Sequence, residues 1–328
     1  MNMTQDSASE PFDWPAEVRR AAGRISPYIR ETPVERSELL AEYSGAAAVW
    51  LKCENMQATG SFKLRGALNR LLAMPEARRE RGVIAASTGN HGLAIAHAAR
   101  ALDTRALVFH PRTAEPTKLE GIARLGAELV AFGDDCVECE REARRVATER
   151  EADYVSPYND PLVAAGQGTI AYELERQLPG LDAVFVSVGG GGLVSGVGSW
   201  LRHWQPAARI FGCSPAHSAV MLHSLAAGVL LELESKPTLS DGTAGGVEAG
   251  AITFPLCQGL IDESVFVTEQ EIAAALRLVV KDHHMLIEGA AATAVAAYLQ
   301  QGSGLAGQRV ALILCGANIS LETLREHL

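Results

Sequence analysis

The chain has little positive charge, few cysteines and no long apolar run, and each shortage narrows what it can do. Its 29 lysines and arginines are outnumbered by 39 aspartates and glutamates, giving a net charge of −10. That balance disfavours a nucleic-acid partner, because phosphate backbones demand clustered cations. No stretch of about 18 apolar residues occurs, so no membrane-spanning helix is expected. Six cysteines in 328 residues are sparse and suit a reducing compartment rather than a disulfide framework. Cys136 and Cys139 form a C-x-x-C, but inside the charged helical segment Asp134 to Arg150 and without a second pair, so neither metal nor redox use is expected of them. The residues Met1 to Glu10 are polar and lack the apolar core of a signal peptide, which points to the cytoplasm. The chain also lacks G-K-S/T, the mark of an ATP-type phosphate loop.

What is present is an ample supply of core. Hydrophobic residues make up 48% of the chain and charged residues 21%, enough for one large domain or two ordinary ones. Strand-like runs alternate with helical patterns. Val83 to Ala86 leads into a helix around Leu93 to Leu102, and Ala106 to His110 precedes a helix from about Thr117 to Leu125. Glu128 to Phe132, Ala183 to Val188, Arg209 to Cys213 and Val310 to Leu314 read as further strands, with a helix ending at Trp204 between the second and third of these. This alternation predicts an α/β fold of parallel sheets covered by helices on both faces. Ligands in such sheets lie at the carboxyl ends of the strands, which is where the unusual sequences fall.

Four segments carry the chemistry. Lys63 follows a Gly-Ser turn at the start of an amphipathic stretch with Ala67, Leu68, Leu71 and Leu72 on its apolar positions. A lysine held among apolar neighbours loses its charge easily, and the neutral amine is the form that makes a Schiff base with a carbonyl. Ser87-Thr88-Gly89-Asn90-His91-Gly92 opens a helix with two hydroxyls and an amide, a setting that suits a carboxylate. Gly189 to Gly192 also opens a helix. Four glycines cost backbone entropy and add no packing; their use is to let backbone N–H groups close around a small phosphate. Cys315-Gly316-Ala317-Asn318 follows the last strand.

With these segments in order, the chain resembles the fold-type II pyridoxal-phosphate enzymes, and within them the serine/threonine dehydratase and serine racemase branch. The likeness runs from about Ile25 to Asn318. It is carried by Ser61-Phe62-Lys63-Leu64-Arg65-Gly66-Ala67, Ser87-Thr88-Gly89-Asn90-His91, Gly166-Gln167-Gly168-Thr169-Ile170, the tetraglycine, Ser240-Asp241-Gly242 and Cys315-Gly316-Ala317-Asn318. The resemblance implies two open, doubly wound lobes with the site between them. Residues 53–156 would form the small lobe, and 1–52 with 157–328 the large one. It further implies that Lys63 binds pyridoxal 5'-phosphate and later moves the Cα proton, that Phe62 packs near the ring, and that Asn90 bonds the ring hydroxyl. Gly189, Gly190, Gly191 and Gly192 would hold the phosphate. Ser87, Thr88, Asn90 and His91 would grip the substrate carboxylate, and Cys315 would stand beside the pyridine nitrogen as a neutral partner. The implied reaction is β-elimination from a β-hydroxy amino acid, L-threonine- or L-serine-like, to a 2-oxo acid and ammonia. A homodimer is implied as well.

Several positions depart from the family pattern. Thr88 stands where the racemases have a serine, which makes racemisation secondary. Ser214 and Val220 replace the acidic residues that hold a divalent cation in many relatives, so no metal is expected there. Tyr158-Asn159 replaces an Asn-Gln near the cofactor edge. The run Leu239 to Pro255 resembles the hydroxyectoine-utilisation dehydratases, which suggests a hydroxyectoine-derived substrate. Glu288 resembles a glutamate near the ring, although by position alone it reads as a helix-interior acid paired with a neighbour. His283 and His284 read as a partly exposed pair on a helix, and His97, His203 and His223 as helix residues without function. A racemase or a β-replacement synthase on the same fold, and a non-catalytic protein binding a phosphate ligand, are the alternatives.

Overall fold

The computed structural model describes residues 12–328, apart from residues 88, 113, 115 and 135 and the side chains of 116–118 and 136. Among these described residues ten strands form in chain order: β1 (Val34–Arg36), β2 (Ala48–Lys52), β3 (Val83–Ala86), β4 (Ala106–His110), β5 (Glu128–Ala131), β6 (Asp153–Tyr154), β7 (Ala183–Ser187), β8 (Arg209–Pro215), β9 (Glu263–Val267) and β10 (Arg309–Ile313). They make two sheets. One has the order β1-β2-β10-β7-β8-β9, the other β5-β4-β3-β6. All pairings are parallel except β1 with β2. The α/β expectation therefore holds.

The second sheet shows why its strands read as continuous apolar runs. Val83 and Ala85 of β3 pack on Ala94, Ile95 and Ala98 of the helix Asn90–Ala101. Ile84 and Ala86, pointing the other way, pack on Cys139, Ala143 and Val146 of the helix Cys136–Glu149. Alternate side chains meet different helices, so neither face of the strand tolerates polarity. In the larger sheet β10 lies between β2 and β7, with Phe185 of β7 stacked on Phe211 of β8 at 4.3 Å between ring centres.

Two helices cross where both lack side chains. A Cβ on Gly66 would sit 2.7 Å from the Val163 carbonyl oxygen, and one on Gly166 would sit 2.6 Å from the Gly66 Cα. The helix Lys63–Leu72 is thus locked against the helix Pro161–Gln177 at a separation only glycine permits.

Below that crossing lies a buried ionic cluster. Arg65 has no exposed surface. Its guanidinium donates to both oxygens of Glu54 at 2.7 Å, to both of Glu173 at 2.6 and 2.9 Å, and to Thr169 Oγ1 at 3.1 Å. Lys52 Nζ joins it, donating to Glu173 at 2.6 Å and to the Thr32 carbonyl at 2.9 Å. Two cations face two carboxylates, which is the condition under which buried charge is tolerable.

Local details differ from the sequence reading in two places. The helix expected from Leu93 already begins at Asn90. The helix Glu269–Asp282 stops before the histidine pair: His283 is its C-cap, with a ring nitrogen 3.2 Å from Ser37 Oγ, and His284 takes a positive φ of 55°. Among the described residues no helix is long and apolar enough to cross a membrane.

Candidate active site

A cleft gathers Phe62, Lys63, Asn90, Gly189, Gly190, Gly191, Gly192, Glu288 and Cys315 on one wall or another. Lys63 is the first residue of its helix, which throws its amine out of the helix start into the cavity. Nζ donates to the Pro157 carbonyl oxygen at 3.1 Å and lies 5.2 Å from the centre of the Phe62 ring. Among the described residues no carboxylate pairs with it at ion-pair distance. Burial lowers its pKa from the ordinary 10.5 to about 8, against the weaker upward pull of Cys315 and Glu288. The neutral amine is correspondingly accessible near physiological pH.

Facing it, Gly191 takes a φ of 85° and starts the helix Gly192–Trp204 with no side-chain cap. A Cβ would lie 2.7 Å from the Thr243 carbonyl oxygen on Gly189, 2.5 Å from the Tyr158 ring on Gly190 and 2.9 Å from the Tyr158 Cα on Gly192. The loop is therefore built so that only backbone approaches the cavity. Uncapped N–H groups at a helix start form an anion cradle, and a phosphate group fits this one.

Asn90, Glu288 and Asn318 form one hydrogen-bonded group. Asn90 Nδ2 donates to Glu288 Oε1 at 2.8 Å and Oε2 at 3.1 Å. Asn318 donates from its backbone N to Glu288 Oε2 at 3.0 Å, and from Nδ2 to Asn90 Oδ1 at 2.5 Å and to the Thr59 carbonyl at 2.9 Å. Glu288 is not inside a helix, as its position in the sequence suggested. It precedes the helix Gly289–Gln301 and is only 2% exposed. Cys315 is equally enclosed, and burial, reinforced by Glu288, pushes its thiol well above the ordinary value. It stays a neutral thiol.

The loop after β3 divides. Asn90 reaches the cavity, but Ser87 Oγ accepts from the Gly89 N–H at 3.1 Å, and neither Ser87 nor His91 lies on the cavity wall. His91 is 3% exposed and its Nε2 donates to the Val155 carbonyl at 2.9 Å. Burial, with Lys63 nearby, lowers its pKa to about 3, so the ring is neutral. Thr88 lies outside the described residues. Tyr158 forms part of the wall, its hydroxyl accepting from the Glu248 N–H at 3.0 Å, while Asn159 Oδ1 accepts from the Ile252 N–H at 2.9 Å. Ser214 is spent on the Val188 carbonyl at 2.7 Å.

Ser187, Thr243 and Ala290 also line the cavity and were not singled out by sequence. Ser187 ends β7, one residue short of the glycine loop, and its Oγ donates to the Ala290 carbonyl at 2.6 Å; its place at a strand end was the available signal. Nearby, Glu140 is pushed up to about 7 by burial and by Glu248, with Arg144 and Lys63 opposing.

The pyridoxal-phosphate dependent enzyme family matches residues 25–316. An L-threonine ammonia-lyase of Thermotoga maritima is 37% identical over 308 residues, covering 94% of this chain and 76% of that one. A beta-hydroxyaspartate dehydratase of Paracoccus denitrificans is 34% identical over 308 residues, covering 94% and 97%. The structure of maize serine racemase superimposes with a TM-score of 0.90 at 31% identity, covering 95% of each chain.

Proposed function

The chain belongs to the pyridoxal-phosphate dependent enzyme family, and from that membership we propose how its residues share the reaction. It is a lyase whose cofactor is pyridoxal 5'-phosphate, and it carries out elimination on a hydroxy amino acid. When bound, the cofactor supplies a conjugated electron sink for charge developing at the substrate Cα. Lys63 would hold the cofactor through its amine and would take the substrate Cα proton at Nζ. The N–H groups of Gly189 to Gly192 would hold the phosphate, Phe62 would pack on the ring, Asn90 would donate to the ring oxygen, and Cys315 would offer the pyridine nitrogen a partner that carries no charge. The helix start at Asn90 would take the substrate carboxylate together with Thr88, while Ser87 would brace that loop through Gly89 and His91 through Val155.

The observation that carries this reading is a single one. An amine held near pKa 8 shares a cavity with an uncapped, side-chain-free helix start. We assign residues 53–156 to a smaller lobe that closes on the substrate and excludes water, and we take the protein to be a cytoplasmic homodimer. Light scattering that returned the mass of one 34.8 kDa chain would sink the dimer.

The substrate is a β-hydroxy amino acid: L-threonine, L-serine, threo-3-hydroxyaspartate or a hydroxyectoine-derived amino acid. The test begins with absorbance. The protein mixed with pyridoxal phosphate is expected to show a visible band that borohydride abolishes. One member of the substrate panel should then yield a 2-oxo acid and ammonia in equal amounts. A spectrum that stayed bare with added cofactor would remove the assignment.

A further inference from the structure

We infer that Asn318 is a positioning residue that, together with the Glu288 carboxylate, sets which end of the Asn90 amide faces the cavity. The inference rests on the cofactor reading above. A primary amide is nearly the same shape either way round, so packing does not choose between its oxygen and its nitrogen; hydrogen-bond partners must. Here the choice propagates from a group that has no alternative. The Thr59 carbonyl only accepts, so the end of Asn318 lying 2.9 Å from it is the NH2 end. That same Nδ2 lies 2.5 Å from the Asn90 side chain, which must therefore present its oxygen to Asn318. The nitrogen of Asn90 is thereby turned the other way, toward Glu288 and the cavity it helps to line.

The hydrogens then balance. Both carboxylate oxygens of Glu288 lie within hydrogen-bond reach of Asn90 Nδ2. Seen from that nitrogen they subtend a narrow angle, whereas its two hydrogens diverge by about 120°, the trigonal angle of a planar amide. One hydrogen serves both oxygens, and the second remains for a ligand. Asn318 also holds the carboxylate itself, through its backbone N–H at 3.0 Å. Room for its side chain comes from Gly60, where a Cβ would stand 2.8 Å from Asn318 Oδ1. Three segments far apart in sequence thus combine to aim a donor. These are the turn before Lys63, the helix start after β3, and the loop after β10.

The test is a double-mutant cycle on cofactor affinity. Apoenzyme is titrated with pyridoxal phosphate, reading both the dissociation constant and the position of the visible band, for the wild type, Asn318→Ala, Asn90→Ala and the double variant. Asn318→Ala is expected to weaken binding roughly 3- to 10-fold, the effect of one lost hydrogen bond, and to shift the band as Asn90→Ala does. In the Asn90→Ala background it should change neither. Losses that simply multiply, or an Asn318→Ala variant that binds as the wild type does, would overturn the inference. Asn318→Asp, nearly isosteric but unable to donate, is the second variant should the alanine fail to fold; wild-type affinity there would be equally fatal. A wild type that binds no pyridoxal phosphate would instead strike the cofactor reading, and this inference with it.

Discussion

Lys63 and Arg65 leave the same turn of one helix and end in opposite electrical surroundings. Arg65 is fully enclosed and meets two carboxylates, each through both oxygens. Lys63 meets one carbonyl oxygen and an aromatic ring. Burial is costly for both cations, but only for Arg65 is the cost offset: Glu54 and Glu173 hold it charged, while Lys63 falls toward pKa 8. Glu54 answers in kind. Burial alone would raise its carboxyl, yet Arg65 and Lys52 hold it below the ordinary value. The same physical penalty thus yields an anchor in one direction along the helix and a reactive group in the other, and the difference is the presence of counter-charge.

Replacing each residue in turn separates the two roles most sharply. Lys63→Ala should abolish turnover, a loss on the order of at least 10²–10⁴-fold from the missing proton transfer alone, while leaving the urea unfolding midpoint at or above the wild-type value. A fall in stability would mean that Lys63 is an anchor as well. Arg65→Met should do the reverse. It leaves Glu54 and Glu173 with Lys52 as the remaining cation of the described cluster, at a cost of about 3–5 kcal/mol in unfolding free energy. Were stability unchanged, the cluster would not be what holds this helix.

The smallest effect concerns pH. A cation whose folded pKa is lowered gives up its proton earlier as pH rises. The rate at which apoenzyme captures pyridoxal phosphate should therefore climb with pH and be half-maximal near 8 rather than near 10.5. An inflection close to that of free lysine would show the amine to be solvated, and the contrast with Arg65 would collapse.

Much of the frame was legible because fully buried strands leave a plain record. Val83–Ala86 and Ala106–His110 appear with the bounds their apolar runs suggest. The edge strand β9 left a fainter trace, since Glu263 and Ser264 interrupt it. Lys63, the glycine loop and Cys315 were visible as motifs, and the cavity gathers them. What stayed hidden were relations. Arg65 looks in the sequence like any cation on an amphipathic helix; nothing local announces carboxylates from residues 54 and 173 arriving on either side. Glu288 and Asn318 acquire their meaning only from each other and from Asn90, which three separate loops bring together.

The crossing at Gly66 and Gly166 has a consequence for how such a chain can diversify. Exactness of fit at that point leaves no path by which one position changes first and the other compensates later, since any Cβ on either strikes backbone of the opposing helix. Two sites a hundred residues apart in the chain therefore constrain each other, although neither lines the cavity.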